Sequence, residues 1–182
     1  MSPSGVILYG PPASGKDTIS RALSRLSPRF ETFPRLKVGA GRADGYRFIN
    51  QATLDGLIQA GDIAWINHRY NATYAVDISG LRTHLSQHIS VLHLGQVPAA
   101  QAVKQAVSDA RWLTIELWCP RDVAEKRARD RGSLDVADRL AAWDATEHLP
   151  VADLRIDTET VSPERAAEMI ARQLGPGTTS AL

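Results

Sequence analysis

The chain has 182 residues, of which 43% are hydrophobic and 23% charged. This is the size and composition of one globular domain, and it excludes a disordered or fibrous protein. The formal net charge of +1 provides no overall field for a nucleic-acid polymer or an anionic membrane, so neither partner is expected. The single cysteine, Cys119, excludes an intramolecular disulfide, and the first residues lack a signal-peptide pattern, so a cytoplasmic location is expected.

The first half of the chain alternates short apolar runs with turns and helical patterns. A strand is predicted at residues 6–9, a helix at 18–26 and a further strand at 30–33. A polar loop is predicted over 35–45, followed by a strand at 46–49, a helix at 51–60 after the N-cap Asn50, and a strand at 63–67. Asp77 is predicted to cap a helix over 78–87.

From residue 89 onward, buried strands and helices alternate regularly. Strands are predicted at 89–94, 112–119 and 154–157. Helices are predicted at 98–107, 121–130 and 162–174, and a further helix after residue 130 is predicted to end at about residue 147. This order predicts an α/β fold of three layers, with a parallel sheet of about five strands between helices. The four tryptophans are expected in the core. The whole chain is interpreted as one domain, with a core of residues 1–33 and 89–174, an inserted lobe at about 34–88, and a flexible tail at 175–182.

Residues 10–16, with the sequence GPPASGK, match the phosphate-binding pattern G-x-x-x-x-G-K between a predicted strand and a predicted helix. Glycines let backbone N–H groups surround phosphate oxygens, and the lysine reaches the β- and γ-phosphates. Asp17 stands where the pattern has a hydroxyl for Mg²⁺; it is interpreted either as a metal-binding carboxylate or as an acid that favours the helix dipole. The predicted ATP-binding residues are Gly10, Ala13, Ser14, Gly15, Lys16, Asp17 and Thr18.

Further motifs follow in a fixed order along the chain. GYRFI at 45–49 comes after an Arg-containing loop, GDIAW at 61–65 follows a predicted helix, and KRARDRG at 126–132 precedes the pair Arg139-Leu140. Together with the phosphate-binding loop, these motifs resemble the guanylate kinase-like branch of the P-loop nucleoside monophosphate kinases. The resemblance covers nearly the whole chain.

The resemblance implies an ATP-dependent kinase that uses Mg²⁺ and has a lid at about 121–145 and an acceptor-binding lobe at 34–88. Arginines of the lid neutralise the transferred phosphoryl group in such enzymes, and the alternative is a solvated helix face with ion pairs. The implied catalytic residues are Lys16, Arg127, Arg131 and Arg139. The implied acceptor-binding residues, for which the alternative is a solvated basic loop, are Arg35, Lys37, Arg42, Tyr46, His68 and Tyr74.

Three positions depart from the guanylate kinase pattern. Ala64 stands where the family has a guanine-reading acid, Val76 replaces a small polar residue, and the segment LHLGQ at 92–96, which includes His93, stands at the strand end where the family has an acid. The predicted function is therefore transfer of the γ-phosphoryl group of ATP to a small, phosphate-bearing, nucleoside monophosphate-like acceptor, with a degraded guanine site. Two alternatives stay open. The Gly-Lys-Asp loop and His68 are also similar to the ribose 1,5-bisphosphate phosphokinases, and the altered guanine site is compatible with a non-catalytic guanylate kinase-like interaction module.

Overall fold

The computed structural model describes residues 3–40, 45–69, 71–133 and 135–175. These residues form nine strands and seven helices. In chain order the elements are β1 (Ser4–Tyr9), α1 (Lys16–Leu26), β2 (Phe30–Thr32), β3 (Arg35–Val38), β4 (Tyr46–Phe48), α2 (Gln51–Gln59), β5 (Ile63–Arg69), β6 (Ala72–Asp77), α3 (Ile78–Gln87), β7 (Ile89–Leu94), α4 (Val97–Ala106), β8 (Arg111–Trp118), α5 (Arg121–Asp130), α6 (Val136–Asp144), β9 (Leu154–Asp157) and α7 (Pro163–Leu174).

The first sheet has five parallel strands in the order β2-β7-β1-β8-β9. Because side chains alternate along a strand, β1 serves both faces. Val6 and Leu8 belong to the apolar cluster that includes α1 and α7, whereas Ile7 and Tyr9 belong to the cluster that includes α3 and α4. The predicted three-layer α/β fold with a parallel sheet is confirmed.

The second sheet has the order β4-β3-β6-β5 and is built from residues between β2 and β7, the second and third core strands in chain order. The β3–β6 and β6–β5 pairs are antiparallel, while β3 and β4 are parallel. Leu54 of α2 packs with Leu36 and Ala75 on one face of this sheet. The opposite face carries charged and aromatic side chains toward the first sheet.

Two strands of the second sheet differ from the sequence prediction. The loop predicted over 35–45 is wrong at Arg35–Val38, which is β3, and β6 was not predicted at all. β3 alternates Arg35 and Lys37 with the apolar Leu36 and Val38, and β6 mixes the polar Thr73, Tyr74 and Asp77 with small or apolar residues. Such a short, mixed pattern is difficult to distinguish from a polar loop until the partner strand is known.

The starts of two helices were predicted from capping residues. Asn50 caps α2 as predicted, with its Oδ1 accepting from Thr53 N at 2.8 Å. Asp77 occupies the N-cap position of α3 but makes no capping hydrogen bond; its carboxylate pairs instead with Arg47. The α3 start is capped by Asp62, whose Oδ1 accepts from Ser79 N at 2.8 Å. A carboxylate from the start of β5 therefore ties that strand to α3.

Among the helices in the described part of the chain, none combines the length and the apolarity that crossing a bilayer requires.

Candidate active site

A cleft of about 540 Å³ lies where the carboxyl ends of β1 and β7 face the polar side of the second sheet. Ligands of open parallel sheets bind at this edge. Within the described residues, seven lysine or arginine side chains and two aspartates line the cleft, so its formal charge is strongly positive in a chain of net charge +1. The charged lining residues are Lys16, Arg21, Arg35, Lys37, Arg69, Arg131, Arg139, Asp17 and Asp135.

The phosphate-binding loop connects β1 to α1 and forms one wall of the cleft. A Cβ atom on Gly10 would lie 2.2 Å from the Leu117 carbonyl oxygen, so only glycine allows the loop to pass this close to β8. Gly15 has φ +93° at the N-cap of α1, a left-handed conformation that also favours glycine. The backbone geometry of the loop therefore favours glycine at both positions independently of any ligand.

The side chain of Lys16 folds back over this loop. Its Nζ donates to the carbonyl oxygens of Gly10 and Pro11, both at 2.7 Å, and lies 3.2 Å from Ser14 Oγ. Burial lowers the pKa of Lys16 to about 7, although the Asp17 carboxylate opposes this shift. The amine is thus held close to the backbone that would surround a phosphate.

The first turns of α1 present four side chains to the cleft. Lys16, Asp17, Ser20 and Arg21 line it, whereas Thr18 does not. One helical turn separates Lys16 from Ser20 and Asp17 from Arg21, so these four residues lie on one face of α1. Thr18 lies outside that face. The sequence prediction missed Ser20 and Arg21, although their i+4 spacing from Lys16 and Asp17 is a signal that could have found them.

His93, at the end of β7, contacts two of these side chains. Its Nε2 lies 2.5 Å from Ser20 Oγ, and its Nδ1 lies 3.3 Å from Asp17 Oδ1. Burial lowers the pKa of His93, which the hydrogen bond to Asp17 opposes.

The opposite wall of the cleft comes from the second sheet. Of the predicted acceptor residues, Arg35, Lys37, Tyr46 and Tyr74 all line it. The Arg35 guanidinium lies 5.6 Å from the ring centres of both tyrosines, and Lys37 is 3% exposed beside the same two rings. Aromatic rings hold these cations at positions where they stay close to the cleft.

Two predicted acceptor residues are not in this wall. His68 is exposed, bonds Thr73 Oγ1 at 2.9 Å and does not line the cleft. Arg42 falls outside the described residues.

Strand β5 instead contributes Trp65, Asn67 and Arg69 to the cleft, and the sequence analysis assigned none of them to it. Residues two apart share a strand face, so Trp65 could have indicated Asn67 and Arg69 rather than His68. Trp65 was expected in the core. It packs partly against the apolar cluster, while its Nε1 donates to Gln96 Oε1 in the cleft at 3.3 Å.

The three arginines predicted for the lid occupy different places. Arg131 and Arg139 line the cleft, and Arg139 Nε donates to Asp135 Oδ1 at 2.7 Å. Arg127 does not line the cleft; its guanidinium bonds the carbonyl oxygen of Ala13 in the phosphate-binding loop and the residue Thr158 after β9. Arg127 therefore contacts the outer side of the loop.

Two of the positions that depart from the guanylate kinase pattern, Ala64 and Val76, are in apolar surroundings in the structure as well. Ala64 and Val76 pack in the cluster that includes α3 and α4, and neither lines the cleft. Neither side chain offers a hydrogen-bonding group to a base.

A buried carboxylate anchors the segment that follows α6. Glu116 on β8 is 2% exposed and accepts from Leu149 N at 3.0 Å and from Arg155. His148 Nδ1 lies 2.9 Å from the same carboxylate, and its ring stacks on Trp118 at 3.8 Å between centroids. This cluster ties the chain between α6 and β9 to the middle of the core sheet.

Solved structures share this architecture. The crystal structure of guanylate kinase from Anaplasma phagocytophilum has a TM-score of 0.60 at 16% identity, covering 99% of this chain and 89% of that chain. The crystal structure of APE1195 has a TM-score of 0.56 at 20% identity, covering 93% of each chain. At these identities the likeness shows the fold, which is that of a P-loop kinase of guanylate kinase-like architecture.

The sequence itself gives the family. A comparison with curated proteins found no significant match. Residues 4–175 match the family described as chloramphenicol phosphotransferase-like protein, and this match does not confirm the guanylate kinase-like branch that the motifs had suggested. The match spans both sheets, the phosphate-binding loop and the final helix, so the chain belongs to the chloramphenicol phosphotransferase-like family.

Proposed function

We propose that the protein is an ATP- and Mg²⁺-dependent kinase that transfers the γ-phosphoryl group to a small acceptor carrying a phosphate of its own. The observation that carries this proposal is a cleft that, within the described residues, is lined by seven cationic side chains and two anionic ones. A triphosphate and a second phosphate compound would together supply the negative charge that such a lining favours.

The donor end of the cleft is the loop at residues 10–16. Its backbone, the start of α1 and Lys16 form the kind of cradle that holds the β- and γ-phosphates of a nucleotide. Lys16 already lies among carbonyl oxygens of this loop, and anionic phosphates would draw its amine toward themselves. This geometry supports ATP as the donor.

The residues at this end also fit Mg²⁺. In the described ranges, no three His, Cys, Asp or Glu side chains converge to hold a metal ion by themselves. Mg²⁺ in kinases needs only one or two carboxylates, because nucleotide phosphates and water complete its shell. Asp17 follows Lys16 directly and is 42% exposed at the cleft, so it would hold the ion, which supplies charge neutralisation between the β- and γ-phosphates.

The acceptor end is the polar face of the second sheet. Arg35 and Arg69 are planar cations able to pair with two phosphate oxygens each, and Lys37 lies beside the rings of Tyr46 and Tyr74. Tyr46 and Tyr74 add hydroxyl groups and flat surfaces for a sugar or a base. This wall favours an anionic acceptor over an uncharged one.

Phosphoryl transfer requires alignment of donor and acceptor and neutralisation of the moving group, with little covalent chemistry by the protein. Lys16 lies at the donor side, while Arg131 and Arg139 reach the cleft from the α5–α6 segment. These arginines would stabilise negative charge on the transferred group, and closing of the segment at 121–145 would exclude water.

The alternative functions differ in the chemical class of the phosphoryl acceptor. The altered positions Ala64 and Val76 favour an acceptor other than GMP, such as a sugar bisphosphate like ribose 1,5-bisphosphate. The family name raises chloramphenicol as a further acceptor, but an uncharged alcohol gives Arg35, Lys37 and Arg69 no anionic partner. A non-catalytic interaction module is the remaining alternative, against which the complete G-x-x-x-x-G-K loop argues.

The test is ADP release from Mg-ATP with a panel of acceptors: nucleoside monophosphates including GMP, ribose 1,5-bisphosphate and chloramphenicol. Lys16→Ala is the control for loop-dependent turnover. We expect a phosphate-bearing acceptor to stimulate ADP release in the unaltered protein and not in the variant. Stimulation by chloramphenicol alone would contradict a phosphate-bearing acceptor. Failure of the unaltered protein to bind Mg-ATP in calorimetry would contradict the kinase proposal and favour an interaction module.

A further inference from the structure

Three side chains form a hydrogen-bonded series at the floor of the cleft. Ser20 Oγ lies 2.5 Å from His93 Nε2, and His93 Nδ1 lies 3.3 Å from Asp17 Oδ1. Ser20 is 4% exposed and the His93 side chain 16%, while Asp17 reaches the cleft with 42% of its side chain exposed. The series thus runs from a buried hydroxyl to a carboxylate at the ligand-binding surface.

The chemistry of the groups fixes the direction of these bonds. An ionised carboxylate only accepts hydrogen bonds, so Nδ1 of His93 carries the proton that faces Asp17. In a neutral ring Nε2 is then the acceptor, and the Ser20 hydroxyl donates to it. With both ring nitrogens engaged, His93 acts on Asp17 and presents no free nitrogen to a substrate.

The positions of Asp17 and His93 in the fold correspond to the Mg²⁺ site of P-loop nucleotide enzymes. P-loop nucleotide enzymes hold Mg²⁺ with a hydroxyl directly after the loop lysine and with an aspartate from a neighbouring strand. Here a carboxylate follows Lys16, and a histidine ends β7, which pairs with β1 beside the loop, with Leu8 opposite His93. The carboxylate beside the loop lysine is thus on the helix, whereas the end of the neighbouring strand carries a histidine.

We propose that Asp17 and His93 have exchanged the two metal-site roles: Asp17 provides the carboxylate for Mg²⁺, and His93, held by Ser20, positions that carboxylate. His93 is then a positioning residue, comparable to groups that orient metal ligands through a second hydrogen bond. The exchange rests on the proposed ATP- and Mg²⁺-dependent function, and it explains why the hydroxyl and the strand acid are absent together.

The experiment measures the metal contribution to nucleotide binding, without turnover. Calorimetry gives the dissociation constant of a non-hydrolysable ATP analogue with and without Mg²⁺. The readout is the ratio of the constant without Mg²⁺ to the constant with Mg²⁺, which is large when the metal strengthens binding. The variants are His93→Ala, Asp17→Ser, His93→Asp and the double variant Asp17→Ser/His93→Asp, which restores the ordinary hydroxyl and strand acid. His88→Ala, a histidine that pairs with Glu31 and does not line the cleft, is the matched control.

Loss of an orienting group typically costs 10- to 100-fold in metal affinity. We expect the ratio to fall about tenfold or more in His93→Ala and in Asp17→Ser and to return toward the original value in the double variant, for which His93→Asp is the parent. His93→Asn, whose amide N–H can replace Nδ1–H, should retain most of the metal contribution. His88→Ala should leave the ratio unchanged.

His93→Ala and Asp17→Ser variants that melt cooperatively and keep the original ratio would overturn the exchange, as would a folded double variant that recovers nothing. Both results would leave Lys16-dependent binding of the nucleotide intact, and with it the proposed function. If the unaltered protein binds no nucleotide at all, the proposed function fails first, and the exchange fails with it.

Discussion

Arg127 donates a hydrogen bond from Nη2 to the carbonyl oxygen of Thr158 at 2.7 Å and another from Nη1 to the hydroxyl of the same residue at 3.0 Å. The same Nη1 lies 3.2 Å from the carbonyl oxygen of Ala13. One guanidinium therefore joins the phosphate-binding loop to the turn after β9. This arrangement gives Arg127 a role in holding the loop, in contrast to Arg131 and Arg139 in the cleft.

Replacing Arg127 by alanine should lower the free energy of unfolding by about 1–3 kcal/mol, because partly buried carbonyl groups lose a charged donor. The KM for ATP should rise, since the Ala13 backbone would be less firmly placed, while the KM for the acceptor should change little. Denaturant unfolding and steady-state kinetics measure the two effects. Arg129→Ala is the control on the same helix, as its exposed pair with Glu125 contributes at most about 1 kcal/mol. Equal effects of the two variants would contradict the role of Arg127.

Binding of ATP should take up protons above neutral pH. Burial lowers the pKa of Lys16 to about 7 in the free protein, and nearby phosphates would raise it because they favour the charged amine. Free protein at pH 8 is then mostly deprotonated at Lys16, and the complex is protonated. We expect affinity to fall by up to about tenfold per pH unit above 7, until the pKa of the complex is reached.

Calorimetry at pH 8 in two buffers of different ionisation enthalpy measures this uptake, which should approach about one proton per nucleotide. Lys16→Met should bind more weakly and take up none. Proton release, or uptake of equal size in the Lys16→Met variant, would show that another group titrates.

Arg35 should affect the acceptor and not the donor. It lies beside Tyr46 and Tyr74 on the wall opposite Lys16, and hydrogen bonds to charged groups contribute about 1.5–3 kcal/mol. Arg35→Ala should therefore raise the acceptor KM by about tenfold or more with little change in the ATP KM. Arg82→Ala, which removes an exposed pair with Asp109 outside the cleft, should change neither constant. A rise in the ATP KM alone would reverse the assignment of the two walls.

Glu116 should be important for stability. Its buried carboxylate binds Arg155 and Leu149 N, so Glu116→Ala leaves a cation and an amide without their acceptor. We expect a loss of about 2 kcal/mol or more, less than the ~3–5 kcal/mol of fully buried pairs because Arg155 is 51% exposed. Denaturant unfolding measures it, with Glu168→Ala on the exposed face of α7 as the control.

A double variant sharpens this test. Glu116→Ala leaves the Arg155 cation without its carboxylate, and removing Arg155 as well eliminates that unpaired cation. Glu116→Ala/Arg155→Ala should therefore be less destabilised than the sum of the single changes. Strict additivity would mean that the two side chains do not stabilise each other.

The phosphate-binding loop could be predicted from sequence because all its residues are contiguous and its glycines are required by local geometry, as the close approach of Gly10 to Leu117 illustrates. The core strands could be predicted because burial on both faces produces continuous apolar runs such as Val6-Ile7-Leu8-Tyr9. Both signals are local.

The side chains of the second sheet that line the cleft could not all be predicted from sequence. Strand register decides which side chains face the cleft, and a single sequence does not contain the register. A shift of one residue moves every side chain to the other face, and β5 carries an irregularity between Ile63 and Trp65. Beyond that irregularity Arg69 shares the cleft-facing side of β5 with Trp65 and Asn67, whereas His68 does not line the cleft. The contact of His93 with Asp17 was similarly beyond prediction, because it joins residues far apart in sequence through the packing of β7 against β1.

The attachment of α5 and α6 to the core has a mechanical consequence. The pair begins directly after Trp118 at the end of β8, and the chain that leaves it is fastened by Glu116 of the same strand to Leu149 N. Both ends of the segment are thus connected to one strand, so a rigid rotation of the two helices would turn about an axis at the carboxyl end of β8. Such a rotation would change the distances from Arg131 and Arg139 to Lys16 without moving the strands themselves, and it would have to break the hydrogen bonds of Arg127 on α5 to Ala13 and Thr158.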